Sequence, residues 1–150
     1  SNPTIIANQQ KSADEARMEV LPDGDSFTEY DGKLVNGVDD CYIADNKAGM
    51  AVTAEYKGFG GAVKVMIGID ANGEITGVKV TEHSETPGLG TKAADPGYLK
   101  QYQGVSEATA GHINDDPNID AVTGATITSN AVYGSVVEAL AQFKECGGVK

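Results

Sequence analysis

The spacing of apolar and polar residues divides the chain into a helical beginning, a strand-rich middle and a helical end. Residues 5–20 are rich in Ala, Gln, Glu and Lys and predict a helix that stops at Pro22–Gly24. From about residue 26 to 81 the apolar period is two, which is typical of half-buried strands. The clearest strands are predicted at residues 50–56 and 62–69.

A hairpin is predicted where Asp70–Gly73 separates two apolar runs. The Asn-Gly pair in this turn favours positive φ at little cost. The returning strand covers residues 74–81, but Ile75 is out of phase with Val78 and Val80. A β-bulge at Gly77 would bring these side chains back to one face.

The second half of the chain alternates loops with helical segments. A loop at 84–90 precedes a short helix around 98–102, and a second loop passes through residues 115–118. A helix is predicted at 130–145, closed by Gly147-Gly148. Its apolar stripe has three- and four-residue steps and consists of Val132, Val136, Leu140 and Phe143. These elements predict a single α+β domain, with a central antiparallel sheet and helices at both ends.

The net charge of the chain limits the classes of molecule that it is expected to bind. Its 150 residues carry a formal charge of −11, without a cluster of Lys or Arg. Binding to phosphate backbones needs the opposite field, so nucleic acid is excluded as an expected partner. Anionic lipid headgroups would also repel this surface, so any attachment to a membrane must be hydrophobic.

The chain contains no apolar run of the roughly 20 residues that a membrane span requires. Ser1 and Asn2 resemble the remnant of a cleaved expression tag and are left out of the fold argument. We divide the rest into an N-terminal helix within residues 1–24 and a ligand-binding domain at 25–150. A membrane anchor preceding this helix remains compatible with the sequence.

Two cysteines, Cys41 and Cys146, lie far apart in the sequence, with neither a CxxC motif nor a His at metal-binding spacing. Two separate thiols are the favoured interpretation, and a disulfide is the alternative. No metal site is predicted.

A possible phosphate site precedes the last predicted helix. Thr128 or Ser129 would be its N-cap, behind which free N–H groups and the helix dipole favour an anion. Gly124 and Ala125 let a bulky ligand approach the backbone, and three hydroxyls are expected to converge there. These belong to Thr123, Thr126 and Thr128. The alternative is a simple turn that leads into a capped helix.

The same segment carries a family resemblance. Asp120-x-x-Thr123-Gly124-Ala125-Thr126-x-Thr128 resembles the flavinylation sequence of the FMN-binding domains in RnfG and NqrC subunits. In that family a dedicated flavin transferase takes FMN from FAD and esterifies its phosphate to the threonine after Gly-Ala. The resemblance therefore implies covalent FMN on Thr126.

A second segment, residues 83–90, resembles the Glu-Thr-Pro-Gly-Leu-Gly loop that meets the flavin ring in the same family. Pro87-Gly88 suits the centre of a type II turn. Thr86 and backbone amides would bond the polar edge of the ring, while Leu89 covers its face. We therefore expect this loop to set the flavin potential, and its implied cofactor contacts are Glu85, Thr86, Gly88, Leu89 and Gly90.

The resemblance extends from about residue 5 to 143. Residues 56–61 and 65–70 resemble the family's glycine-rich turn and central strand, and Leu21-Pro22 resembles its N-terminal segment. Two departures occur, since Phe59 stands where a tyrosine is expected and Tyr102 lies near the place of a phenylalanine. Neither is part of the implied ester.

The family implies an electron carrier with no catalytic residue of its own. A single N-terminal transmembrane helix would hold the domain on the outer face of the cytoplasmic membrane. Its partners would be the integral subunits of a complex that couples ferredoxin or NADH oxidation to Na⁺ or H⁺ export.

Three other functions remain open from the residues. The first is the same flavin domain in another extracytoplasmic system, such as a flavinylated reductase. The second is a secreted ligand-binding module without a redox role. The third is a hydrolase with a threonine nucleophile, which lacks a base near Thr126 in the sequence.

Other titratable groups carry weaker expectations. His83 is either a proton partner of reduced flavin or a solvent-facing histidine at a strand end, and His112 has no assigned partner. Asp120 is expected to serve transferase recognition or to cap the turn. Glu138 is expected to be solvated.

Overall fold

A computed structural model describes residues 13–58, 60–83 and 89–149. Residues 13–20 are helical and are called α1. The strands are β1 (Phe27–Glu29), β2 (Val38–Ala44), β3 (Gly49–Lys57), β4 (Ala62–Asp70) and β5 (Ile75–Glu82). The later helices are α2 (Leu89–Lys92), α3 (Pro96–Leu99) and α4 (Thr126–Cys146), with 3₁₀ turns at Lys100–Tyr102 and Ile113–Asp115.

The strands form one antiparallel sheet in the order β1-β2-β3-β4-β5. With α1 and α4 at the two ends, the predicted α+β class is confirmed. The predicted bulge is also confirmed, because Gly68 pairs with Gly77 while Ile69 pairs with Ile75, so that Thr76 is the inserted residue. In the β4–β5 turn, Gly73 alone supplies the positive φ.

Helix α4 covers one face of the sheet. The predicted stripe is confirmed, since Val132, Val136 and Leu140 are buried and Phe143 is partly buried against the same cluster. The sheet contributes alternate side chains of its two central strands, which are Met50, Val52, Ala54, Val63, Val65, Ile67 and Ile69. Gly147 ends the helix with φ 74°, and its N–H bonds to the carbonyl of Lys144.

Helix α1 lies on the opposite face. Its last residue, Val20, packs with Ala51 and Met66, and Arg17 lies 3.5 Å from the ring centre of Tyr42. Thr76, the bulged residue, donates its hydroxyl to the carbonyl of Val20. The predicted helix end near residue 20 is confirmed, whereas residues 5–12 lie outside the described residues. No described helix is long and apolar enough to cross a membrane.

The two cysteines meet at the far end of α4, although the sequence separates them. Both are free: Cys41 is buried on β2 and donates its thiol to Met50 Sδ at 3.7 Å, and Cys146 is the last residue of α4. The amide of Gln142 also donates to the Sγ of Cys146 at 3.2 Å. Burial raises the pKa of Cys41, so this thiol is held in its unreactive neutral form. The expectation of two separate thiols is confirmed in that both cysteines are free. The two side chains nevertheless lie close together in the fold.

Candidate functional site

Helix α4 begins at Thr126, four residues earlier than the sequence pattern predicts. Its N-cap is Ala125, with φ −134° and ψ 43°, and the side chain of this residue makes no capping bond. The predicted N-cap at Thr128 or Ser129 is therefore wrong. Ser129 instead donates its hydroxyl to Ala125 O at 2.8 Å, a bond to the preceding turn that is compatible with helical backbone.

The motif residues form a tight turn that leads into this uncapped helix. Ala125 N–H bonds to Val122 O at 2.9 Å, and Gly124 has φ 82°, a conformation that glycine adopts without strain. Thr123 and Gly124 are exposed, and Thr126 is partly buried at the first helical position. Thr128 is buried two residues later. Of the three hydroxyl residues, Thr123 and Thr126 are thus the ones open to solvent.

Hydrogen bonds hold the irregular segment before the turn, residues 113–122, against one side of α4. Tyr133 donates to Asp116 Oδ2 at 2.7 Å, and Asn130 Oδ1 accepts from Ile113 N–H at 2.8 Å. Ser129 Oγ accepts from Val122 N–H at 2.9 Å. These three helical side chains are spaced so that they project from the same side of α4. They therefore order a stretch that has little secondary structure of its own.

A second set of bonds comes from the α3 region. Gln101 donates to Asp120 O at 2.9 Å and accepts from Asp120 N–H at 2.8 Å. Tyr98 donates to the same carbonyl at 2.7 Å. The Asp120 residue itself is exposed, which leaves its expected role in transferase recognition open.

Two tyrosines of this region, Tyr98 and Tyr133, act as neutral hydrogen-bond donors. Burial raises the pKa of Tyr133 to about 12, and the hydrogen bond to Asp116 adds to the shift. Burial likewise raises the pKa of Tyr98 and of Tyr102, which is fully buried. Their O–H groups consequently stay protonated throughout the physiological range.

The second predicted segment is only partly covered by the structure. Residues 84–88, with Glu85, Thr86 and Gly88 among them, lie outside the described residues, as does the predicted type II turn. Leu89 and Gly90 belong to the first turn of α2, so a helix replaces the last two positions of the predicted loop. The contacts of all five residues with a flavin remain predictions.

Glu138 differs from its sequence expectation. It is partly buried beside a groove of about 860 Å³, whose lining includes Asp39, Glu55, Tyr56 and Lys57. Its Oε2 is shielded from solvent and has no hydrogen-bond partner among the described residues. Burial, with the charges of Glu55 and Asp39, raises the pKa of Glu138 to about 7. The expectation that Glu138 is solvated is therefore wrong.

The raised pKa makes stability depend on pH. Because the folded-state pKa lies above the ordinary value of 4.5, the folded chain holds this proton more tightly than the unfolded chain. The contribution of Glu138 to the stability must then fall as pH rises from about 4.5 to about 7. After allowance for partial exposure, Glu138→Gln is expected to stabilise the fold by about 1–2 kcal/mol at about pH 8, and to change little at about pH 4.

Chemical denaturation at the two pH values measures this difference. Glu145→Gln is the matched control, because Glu145 is an exposed residue of the same helix that makes only a 3.9 Å pair with Lys33. That control is expected to change stability by less than about 0.5 kcal/mol at either pH. A gain for Glu138→Gln that is equal at both pH values would contradict the assignment.

Several residues that build the site carry no obvious signal in the sequence. The clearest are Tyr98 and Gln101, whose bonds to Asp120 cross about 20 positions of chain. His112 has a local role, since its Nδ1 accepts from Asn114 N–H and caps the Ile113–Asp115 turn. Helical spacing of Ser129, Asn130 and Tyr133 is the one pattern that could have indicated a polar side of α4.

Comparison with known proteins places these features in a family. The FMN-binding domain family matches residues 58–141, which include the β3–β4 turn and most of α4. The chain is 32% identical to the G subunit of the proton-translocating ferredoxin:NAD(+) oxidoreductase complex of Clostridium ljungdahlii, over all of this chain and 82% of that protein.

Two further relatives are G subunits of complexes of the same kind. The one from the ion-translocating oxidoreductase complex of Methanosarcina acetivorans is 32% identical over 91% of this chain and 76% of its own length. The one from the Na(+)-translocating ferredoxin:NAD(+) oxidoreductase complex of Acetobacterium woodii is 34% identical over 81% and 69%. The chain therefore belongs to the FMN-binding domain family, among the G subunits of ion-translocating oxidoreductase complexes.

Proposed function

We propose that this chain is an electron-carrying subunit of a membrane-associated ion-translocating oxidoreductase complex, and that it carries FMN as a phosphoester of Thr126. One observation carries the proposal. Thr126 is the first residue of a 21-residue helix whose N-cap, Ala125, makes no side-chain capping bond, and it follows a turn in which Thr123 and Gly124 are exposed. This is where the family motif puts the modified threonine.

The helix start suits a phosphodiester. The first N–H groups of an α-helix have no carbonyl partner within the helix and commonly bind anions, and Ala125, the N-cap of α4, has no side-chain oxygen that would compete. The helix dipole would stabilise the single negative charge of the diester by about 0.3–1 kcal/mol. Gly124 is exposed and has no side chain of its own, which favours the approach of a bulky group to the turn.

Attachment would be a phosphoryl transfer from FAD. The Thr126 hydroxyl loses its proton and forms a new bond to the phosphorus of the FMN half, while the pyrophosphate bond breaks and AMP leaves. The protein chain contributes the nucleophilic oxygen and its placement, and the flavin transferase provides the catalytic groups. No redox change accompanies this step.

Bound FMN would let the subunit connect two-electron and one-electron chemistry. The residues of this chain would tether and orient it, and the loop containing Glu85, Thr86 and Leu89 would tune its potential through hydrogen bonds and packing. Covalent attachment suits a carrier outside the cytoplasm, where lost FMN could not readily be replaced.

The proposed partners are the other subunits of the complex, with a membrane anchor that precedes α1 and places the domain on the extracytoplasmic side. The names of the relatives support ferredoxin:NAD(+) chemistry for those proteins. They differ in the translocated ion, since one is named for protons and another for Na⁺.

The test is co-expression with a flavin transferase, followed by intact mass measurement and peptide mapping. We expect a mass increment equal to FMN less one water, located on the peptide that contains residues 123–128. The same chain from a host without the transferase is the control and should lack the increment. An unmodified, colourless product from the competent host would refute the carrier function and favour a non-redox ligand-binding module.

A further inference from the structure

Gln101 holds the backbone of Asp120 from a distant part of the chain. Its side-chain amide both donates to Asp120 O and accepts from Asp120 N–H, at 2.9 and 2.8 Å. Such an exchange resembles the pair of bonds between opposed residues of an antiparallel sheet, although Asp120 lies in no strand. Tyr98 adds a bond to the same carbonyl at 2.7 Å. The side chains of Gln101 and Tyr98 thus make the hydrogen bonds to Asp120 that a neighbouring strand would make in a sheet.

A second anchor lies two residues further along the chain. The hydroxyl of Ser129 accepts from Val122 N–H at 2.9 Å and donates to Ala125 O at 2.8 Å. Ser129 is fully buried, so solvent cannot easily replace either bond. Only residues 123–125 lie between this anchor and Thr126. The segment that presents the Thr126 hydroxyl is therefore fixed at both ends.

We propose that Gln101 and Ser129 are positioning residues for the attachment of the flavin phosphate to Thr126, an inference that rests on the proposed function. Residues 116–125 contain neither helix nor strand, so their geometry depends on these side-chain bonds. A transferase that met a loosened segment would have to order it on binding, at the expense of binding free energy. The loss should therefore be expressed in KM more than in kcat.

The first test measures initial rates of FMN transfer from FAD to the full chain by a flavin transferase. Gln101→Ala is expected to raise KM for the protein substrate about tenfold, with kcat changed by no more than about twofold. Gln103→Ala is the matched control, because Gln103 is an exposed glutamine of the same segment whose side chain makes no hydrogen bond to Asp120. That control should retain wild-type KM and kcat.

A second pair tests the other anchor. Ser129 and Ser135 are both fully buried serines of α4, and each donates to the carbonyl four residues earlier. Only Ser129 also accepts from the N–H of Val122. Ser129→Ala should therefore raise KM about tenfold, whereas Ser135→Ala should leave it unchanged. This comparison separates the loss of a helical back-bond from the loss of the anchor.

Amide hydrogen exchange provides a readout that does not depend on the transferase. Gln101→Ala should speed the exchange of the Asp120 N–H about tenfold or more, while Gln103→Ala should not. Gln101→Glu keeps an acceptor for this N–H but places a carboxylate oxygen against Asp120 O, so it should give less protection than the wild-type amide. If Gln101→Ala does not fold, the two serine variants decide the question.

The outcomes distinguish this inference from the proposed function. If the wild-type chain accepts no FMN, both are wrong. If the wild type is modified but Gln101→Ala and Ser129→Ala have the KM of their controls, the positioning roles are refuted and the carrier function stands. A fall in kcat with unchanged KM would also refute the inference, because a loosened segment should weaken the binding of the protein substrate and thus raise KM.

Discussion

Replacing Thr126 by valine is expected to abolish covalent loading with FMN completely. Valine has nearly the same shape as threonine and removes only the hydroxyl, so the first turn of α4 should stay intact. The modification needs that oxygen as the nucleophile, and the loss should therefore be total. Intact mass after co-expression with a flavin transferase measures it, with a denaturing wash to remove flavin that is bound without a covalent bond.

Two further variants make this test specific. Thr126→Ser retains a hydroxyl at the same position and should still be loaded, which would show that the oxygen and not the methyl group is required. Thr123→Val tests the nearest exposed hydroxyl, since Thr123 lies on the turn just before the helix. It should remain loaded through Thr126. Loading of Thr126→Val, or loss of loading in Thr123→Val alone, would show that the ester does not form on Thr126.

The sheet was predictable because its signals are local. Alternation along residues 50–56 and 62–69 indicates strands, and the turn at Asp70–Gly73 fixes how β4 and β5 pair. Even the bulge could be predicted, because Ile75 is buried only if one residue is inserted before Gly77. Each inference needs only neighbouring residues and the two-residue period of a strand.

The start of α4 could not be predicted from the same kind of signal. Thr128 and Ser129 resemble N-caps, because short hydroxyl side chains favour that position in general. In the structure Ser129 uses its hydroxyl inside the helix instead, and Val122 from the preceding turn supplies the donor to it. A contact with the turn before the helix thus decides whether these residues begin the helix or lie within it.

Only the part of the site that lies within a family sequence motif could be predicted. Thr126 was found through the resemblance of residues 120–128 to a flavinylation sequence. Gln101 was missed because a bond between a side chain and a distant backbone group leaves no periodic pattern. The burial of Glu138 was not predicted for a related reason, since it depends on how β2 and β3 pack against α4.

Replacing Gly68 by alanine is expected to destabilise the fold by about 2–3 kcal/mol and to lift α1 from the sheet. A Cβ at this position would lie 2.0 Å from Val20 O and 2.5 Å from Val20 C, which are backbone atoms that no rotamer change can move. To relieve the contact, the end of α1 must shift and expose Val20 and Leu21, both now buried. Chemical denaturation measures the loss, and hydrogen exchange of residues 13–20 measures the release of α1.

A graded set of glycines provides the control for this prediction. Gly77 faces the same helix end, but a Cβ there would lie 3.0 Å from the nearest Val20 atoms, so Gly77→Ala should have a smaller effect. Gly111 is exposed, and no heavy atom of the described residues beyond its chain neighbours lies within 4 Å of its Cβ position, so Gly111→Ala should change stability by no more than about 0.5 kcal/mol. A graded loss would show that the missing side chains of Gly68 and Gly77 let the end of α1 lie against the sheet. If all three variants are equally stable and the amides of α1 stay protected from hydrogen exchange, the close contact between Gly68 and Val20 is not what holds α1 on the sheet.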